Sequence, residues 1–227
     1  MTKHKFCNLL VTANIFMSLL LTSGMSQAFD TSVLIAPKEA ELAALEGLQR
    51  FLDVISDQKP EEFNFRSPGE LKRAKVGTPF RVFVASPDGI LQGDPKKSLL
   101  ELIVPAPIWF FPVISDGESR TILNVEFLEN KWKAAGLGDT HLVKPYASVL
   151  KKWPSSQGYK HVFVRNYETL SEFVILLHDG EAKVVPLPSA MMSWGLKQER
   201  MLELSEAIAL LRDRLKQVYR QPKGILH

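Results

Sequence analysis

Apolar side chains follow two rhythms along this chain, and each predicts a different kind of element. Between Pro37 and Ile55, Leu42, Leu45, Leu48, Leu52 and Ile55 recur at three- and four-residue steps, the stripe of a helix resting one side on a core. Pro37 suits a first helical turn, and Glu39, Glu41 and Glu46 lie toward the positive end of the helix dipole. Ser67-Pro68-Gly69-Glu70 has capping-box spacing and predicts a turn or two of helix through Lys75. Phe80 to Ala85 reads as a strand, Pro87-Asp88-Gly89 as a turn and Ile90 to Ser98 as a loop. Leu99 to Val104 reads as a second strand, ended by Pro105-Ala106-Pro107.

The densest apolar run, Ile108-Trp109-Phe110-Phe111-Pro112-Val113-Ile114, precedes Ser115-Asp116-Gly117-Glu118 and a second run from Arg120 to Leu128. Asp-Gly between apolar runs predicts a tight hairpin, because both residues tolerate positive φ. A reversal at Glu129-Asn130 brings Lys131-Trp132-Lys133-Ala134 back as a third strand. A two-residue loop sets Ser115 against Glu118, Pro112 against Thr121 and Phe110 against Leu123. One face then carries Ile108, Phe110, Ile114, Leu123, Val125, Phe127 and Trp132. The other carries Trp109, Phe111, Val113, Arg120, Ile122, Asn124 and Glu126. That second, mixed face makes Trp109 and Phe111 candidates for an interaction surface, unless helices cover them.

Gly136-Leu137-Gly138 reads as a turn, with Asp139 or Thr140 capping a helix that carries Leu142, Tyr146, Val149, Leu150 and Trp153. Strands follow over Tyr159 to Asn166 and Ser171 to His178, and Asp179-Gly180 turns the chain into a return strand ending at Pro186 and Pro188. A last helix spans Lys197 to Tyr219. Met201, Leu204, Ile208, Leu211, Leu215 and Val218 form a heptad-spaced seam on it. Leu211 and Leu215 are therefore a second candidate surface, for weak self-association, if the seam is not spent on the sheet. Consecutive hairpins and segregated helices predict an α+β fold with a mainly antiparallel sheet. Residues 29–227 are read as one domain, with a subdivision near Gly138 as the alternative.

The first 28 residues stand apart. A basic start with Lys3 and Lys5, an apolar stretch from Phe6 to Leu21, and Ser26-Gln27-Ala28 predict a secretory signal cleaved after Ala28. Its apolar core is too short and too interrupted for a bilayer span. Losing Lys3 and Lys5 brings the formal charge from +3 to about +1. The remaining basic groups, Lys72-Arg73-Lys75, Lys96-Lys97 and Lys151-Lys152, are scattered, so no nucleic-acid partner is expected. The one cysteine, Cys7, also leaves with the leader, and about 200 residues can bury a core without disulfides. Export to a bacterial periplasm or the exterior is the expected location.

Reactive motifs are hard to find. Gly136-Leu137-Gly138 lacks a third glycine, since His141 stands there, and no nucleotide or other cofactor is expected. His141, His161, His178 and His227 show no metal-ligand spacing. Neither Gly-x-Ser-x-Gly nor a phosphate-cradling loop occurs, although Ser189, Ser193, Asp139 and His141 could converge from distant positions. The sequence therefore predicts a non-enzymatic exported protein that binds another exported or envelope protein. A Ser/His/Asp hydrolase, or a carrier of a small apolar ligand, is the alternative.

Overall fold

A computed structural model describes residues 29–55, 59–94 and 97–220, so the expected leader, with Cys7, and the tail ending at His227 lie outside the described residues. Nine strands form one sheet: β1 (Lys75–Val76), β2 (Phe80–Ala85), β3 (Ile103–Ser115), β4 (Glu118–Leu128), β5 (Lys131–Gly138), β6 (Lys160–Asn166), β7 (Ser171–His178), β8 (Glu181–Pro186) and β9 (Leu202–Glu203). The helices are α1 (Lys38–Ile55), α2 (Pro68–Leu71), α3 (Pro87–Gln92), α4 (Leu99–Leu102), α5 (Thr140–Lys152), α6 (Pro188–Ser193) and α7 (Leu204–Arg220). The order across the sheet is β5-β4-β3-β2-β6-β7-β8-β9, with β1 also against β3. Among the described residues only β2 and β6 pair in parallel, so the α+β architecture with a mainly antiparallel sheet is what the chain adopts. Two meanders run outward from that parallel pair, and β5, which ends at Gly138, forms one edge of the sheet.

Helices cover both faces. Trp109, Phe111, Val113, Leu123, Val125 and Ala134 lie under α1 together with Phe65 and Leu71. Further along that face, Phe83, Val162, Val164, Phe173, Ile175 and Val184 lie under α3, α4 and α7. On the opposite face α5 packs Leu142, Val143, Tyr146 and Val149 onto Phe80, Phe110, Ile122, Phe163 and Val174.

The hairpin register differs from strict alternation. Ser115 pairs with Glu118 and Ile114 with Ser119 as that register expects, but Val113 pairs with Thr121, leaving Arg120 as an extra residue. Beyond that bulge Phe111 faces Leu123 and Trp109 faces Val125. One inserted residue reverses which side chains share a face. A second bulge, at Ala135, lets β5 continue through Gly136 and Gly138, which pair with Asn124 and Ile122 instead of turning. Arg120 occupies its bulge for a reason visible at its tip. Its buried guanidinium reaches Glu70 (2.8 Å) and Glu118 (2.6 Å), and Glu70 also accepts the Arg66 amide at 2.6 Å. The Glu70 carboxylate thus completes an ion pair in place of the expected capping box.

Other local expectations shift for physical reasons. The α1 face is set by Ala40, Ala44, Gly47, Leu48, Leu52 and Ile55, while Leu42 and Leu45 are 57% and 60% exposed. A Cβ built on Gly47 would overlap Ala134 Cβ, so small residues are needed where the helix meets the sheet. Pro87–Gln92 is helical, with Ser86 accepting from the Gly89 amide, and Ser98 and Glu101 form a capping box that starts α4 where a strand was expected. Pro105 and Pro107 stay within β3 because that stretch has only β2 beside it, and a proline on an open edge removes no ladder bond. Helix α7 begins at Leu204, not Lys197, because Leu202 and Glu203 pair with β8.

Two stability changes follow. Gly47→Ala should destabilise by about 1–3 kcal/mol in urea unfolding despite alanine's better helix propensity, and adding Ala134→Gly should recover part of the loss. Arg120→Met should cost about 3–5 kcal/mol by stranding a buried carboxylate, and the double change with Glu70→Leu should cost less than Arg120→Met alone. An Arg120→Met protein within about 1 kcal/mol of the parent would refute that role for the ion pair.

Candidate functional site

A charged group on which β6, β7, α5 and α6 converge lies at the carboxyl ends of β2 and β6. There the chain leaves the parallel pair toward opposite sides of the sheet, an arrangement that opens a crevice in open sheets generally. Arg165, the penultimate residue of β6, pairs across the strands with Glu172 of β7. Arg165 Nε donates to Glu172 Oε1 at 2.9 Å, and Nη2 donates to Asp139 Oδ1 at 2.9 Å and Glu172 Oε1 at 2.5 Å. The guanidinium lies 5.0 Å from the Phe110 ring centroid and 5.9 Å from those of Phe163 and Tyr167. Burial works against the Arg165 charge, but the Asp139 and Glu172 carboxylates outweigh it and hold its pKa above the ordinary range.

Asp139 stands at the N-cap position of α5 in the left-handed region (φ 51°, ψ 33°), and its carboxylate goes to Arg165 instead of capping the helix. His141 follows in the first turn, with Nε2 3.2 Å from Glu172 Oε2. Pro145, inside α5, lacks the amide that would bond the His141 carbonyl, which loosens this first turn. From α6, Ser189 Oγ accepts the Glu172 amide at 3.0 Å and donates to Glu172 Oε2 at 3.1 Å. These groups, with Asn166, Tyr167 and Leu170, line a cleft of about 330 Å³.

The lip of the cleft is the β6–β7 turn, held from below by buried polar groups. Asn166 Nδ2 donates to the Ala85 carbonyl at 3.1 Å, and its Oδ1 accepts from the Thr169 amide (2.9 Å) and hydroxyl (2.7 Å). Ser193 Oγ donates to the Thr169 carbonyl at 2.9 Å. This tether holds Leu170 at φ 51°, where a branched side chain is strained, and leaves it 77% exposed beside the half-exposed Tyr167.

Of the residues singled out in the sequence, Asp139, His141 and Ser189 come together here, whereas Ser193 joins the Thr169 tether. Ser189 directs its proton to Glu172, not to the imidazole, so the nucleophile-to-base hydrogen bond of a serine hydrolase is not formed. Arg165 and Glu172 went unmarked in the sequence. Their signal is opposite charge at matched positions either side of one turn, interrupting apolar strands. Trp109 and Phe111 are fully covered by α1, and Leu211 and Leu215 are fully buried against the sheet, α3 and α4. All four therefore supply core area within the chain, and the exposed candidate surface is the cleft and its lip.

The other two described histidines, His161 and His178, lie apart from it. His178 stacks on Tyr159, with ring centroids 4.1 Å apart. His161 pairs with Leu176 in the sheet, and its Nε2 is 2.7 Å from the Trp153 carbonyl. Burial lowers the His161 pKa from its ordinary 6.5, against the opposing effect of that hydrogen bond. Among the described residues no helix is long and apolar enough to cross a membrane. Comparisons of the chain with protein-family models, curated proteins and solved structures found no match.

The His161 shift has a definite sign. As pH falls, the unfolded chain takes up this proton before the folded one, so stability present above pH 6.5 is lost in acid below it. The melting midpoint of the parent should therefore drop more between about pH 7 and about pH 5 than that of His161→Gln. Equal slopes would remove His161 from the account.

Proposed function

We propose that this chain is an exported, non-enzymatic binding protein of the bacterial periplasm or exterior, and that it engages another exported or envelope protein through the Tyr167–Leu170 lip and the cleft below it. The observation that carries the reading is Leu170. A leucine held in a left-handed conformation costs the fold roughly 1–2 kcal/mol, and an exposed one returns no burial within the chain. Glycine at that position would remove the strain, so the side chain is better explained by something it touches outside the chain. Tyr167 adds an aromatic surface with a polar tip, a combination enriched where proteins meet. On α6, Met192, three residues beyond Ser189, is 82% exposed and adds adaptable apolar area.

Charge narrows the partner. Asp139 and Glu172 against Arg165 leave one net negative charge on the cleft floor before the imidazole is counted. A partner segment with a basic side chain beside an apolar one matches that floor and lip. The leader pattern at residues 1–28, and the confinement of Cys7 to it, support export.

Leu170→Gly separates this reading from a structural role. The variant should be as stable as the parent, or more stable by about 1 kcal/mol, because strain is relieved and no buried contact is lost. Its capture of a partner from the host's envelope fraction should nevertheless fall sharply, as should that of Tyr167→Ser. Capture unchanged in both variants would refute the lip as an interaction surface.

A further inference from the structure

The side chains of the cleft floor divide their donor atoms unevenly. Arg165 occupies Asp139 Oδ1 and Glu172 Oε1. The other Glu172 oxygen faces the imidazole, and ligand atoms from Asp139, His141 and Glu172 all lie within 4.8 Å of one another. From this juxtaposition we propose that Asp139, His141 and Glu172 form a binding site for a divalent transition-metal ion, with zinc as its simplest occupant.

Geometry supports the donor set. Bonds of about 2.0–2.1 Å to nitrogen and carboxylate oxygen, arranged tetrahedrally, set neighbouring ligand atoms roughly 3.3 Å apart. His141 Nε2 and Glu172 Oε2 stand at 3.2 Å. Asp139, whose Oδ1 accepts from Arg165 and whose Oδ2 accepts from Asn124 at 3.5 Å, supplies the third corner from within 4.8 Å of the other two ligand atoms. The fourth position opens on the cleft, so solvent or a partner's side chain completes the shell. One imidazole and two carboxylates is a mixed donor set suited to zinc or manganese, and poorly suited to calcium, which takes six to eight oxygens.

The surroundings supply what such a site needs beyond its ligands. Ligating carboxylates are usually oriented by hydrogen bonds from neighbours. Here Arg165 donates to one oxygen of each carboxylate, and Ser189 Oγ–H donates to Glu172 Oε2, the oxygen that faces the imidazole. Arg165 also sets a limit on affinity, because its charge offsets one of the two carboxylates. The site is therefore a modest one, not a structural anchor that folds the chain. His141, with 63% of its side chain exposed, provides the entry path and the freedom to adjust. The imidazole is also the ligand whose removal disturbs the fold least.

This inference goes beyond the interaction reading and does not rest on it: Leu170→Gly leaves all three ligands in place, and a bound dication would displace a partner's basic side chain from the cleft floor. The test uses the full mature chain, stripped with a chelator, desalted and titrated with zinc chloride. Native mass spectrometry reads stoichiometry, calorimetry reads affinity, and cobalt substitution reads coordination through its visible absorption. The expected result is one zinc per chain and a raised melting midpoint. His141→Ala should keep its circular dichroism, bind zinc at least about tenfold more weakly and lose the midpoint shift. His178→Ala, which removes a histidine beside Asp179, should bind like the parent. Absence of stoichiometric zinc in the parent would overturn the proposal. So would equal binding by His141→Ala, or loss of binding in His178→Ala.

Discussion

The ion pair between Arg120 and Glu70 sets the geometry on which the rest of the fold depends. Both side chains are almost fully removed from solvent, at 7% and 5% exposure, where an unpartnered charge would cost several kcal/mol. Arg120 can reach Glu70 because it is the extra residue of a β-bulge. From that point Leu123 and Val125 join Trp109 and Phe111 on the side that α1 covers, while Phe110 and Ile122 pass to α5. Without the inserted residue the two strands would send mismatched sets of side chains to each core. The segment carrying Glu70 is held to the same place by Ser115 Oγ, which donates to the Glu70 carbonyl at 2.8 Å, and by Asn64 Nδ2, which donates to the Arg120 carbonyl at 2.9 Å. A buried charge thereby specifies register, and apolar area supplies the stability.

At the other end of the sheet a second arginine plays a comparable part with a different outcome. Arg165 rests on Phe110 and Phe163, aromatic side chains that α5 and the sheet enclose. Its position therefore follows from core packing, and it in turn orients Asp139 and Glu172. Around Arg120 the Glu70 partner is buried while the exposed Glu118 carries the pairing to the surface, whereas around Arg165 carboxylate oxygens and the exposed imidazole face a cleft. The Asn166–Thr169–Ser193 tether fixes the lip above it through buried hydrogen bonds. Ion-paired carboxylates and a tethered lip leave little conformational freedom to lose in the recognition proposed above.

Much of this was readable from residue order, and the failures share a cause. The turns at Asp116-Gly117, Glu129-Asn130 and Asp179-Gly180 all adopt positive φ, which every one of these residues but Glu129 tolerates well. The β6–β7 hairpin and the buried side of α5 match their apolar spacing. Register in β3–β4 did not follow, because period-two alternation cannot register a single inserted residue. The α1 stripe was misread because leucine spacing suggested Leu42 and Leu45, while the tight approach at Ala134 admits only small residues. At the candidate site Asp139, His141 and Ser189 stood out as separate reactive types. Arg165 and Glu172 did not, because a salt bridge inside a hairpin looks like any exposed charge until the covering layer is known.

Local order alone determined the turn positions, most of the elements and the α+β class, because backbone preferences and side-chain periods act over a few residues. Only the tertiary structure decided which faces meet, that Trp109, Phe111, Leu211 and Leu215 are interior, and that Asp139, His141, Arg165, Glu172 and Ser189 share one cleft. Those outcomes depend on burial and on charge pairing between residues as far apart as Glu70 and Arg120 or Asp139 and Arg165. Such interactions exist only once the sheet has brought the partners together and excluded the water between them.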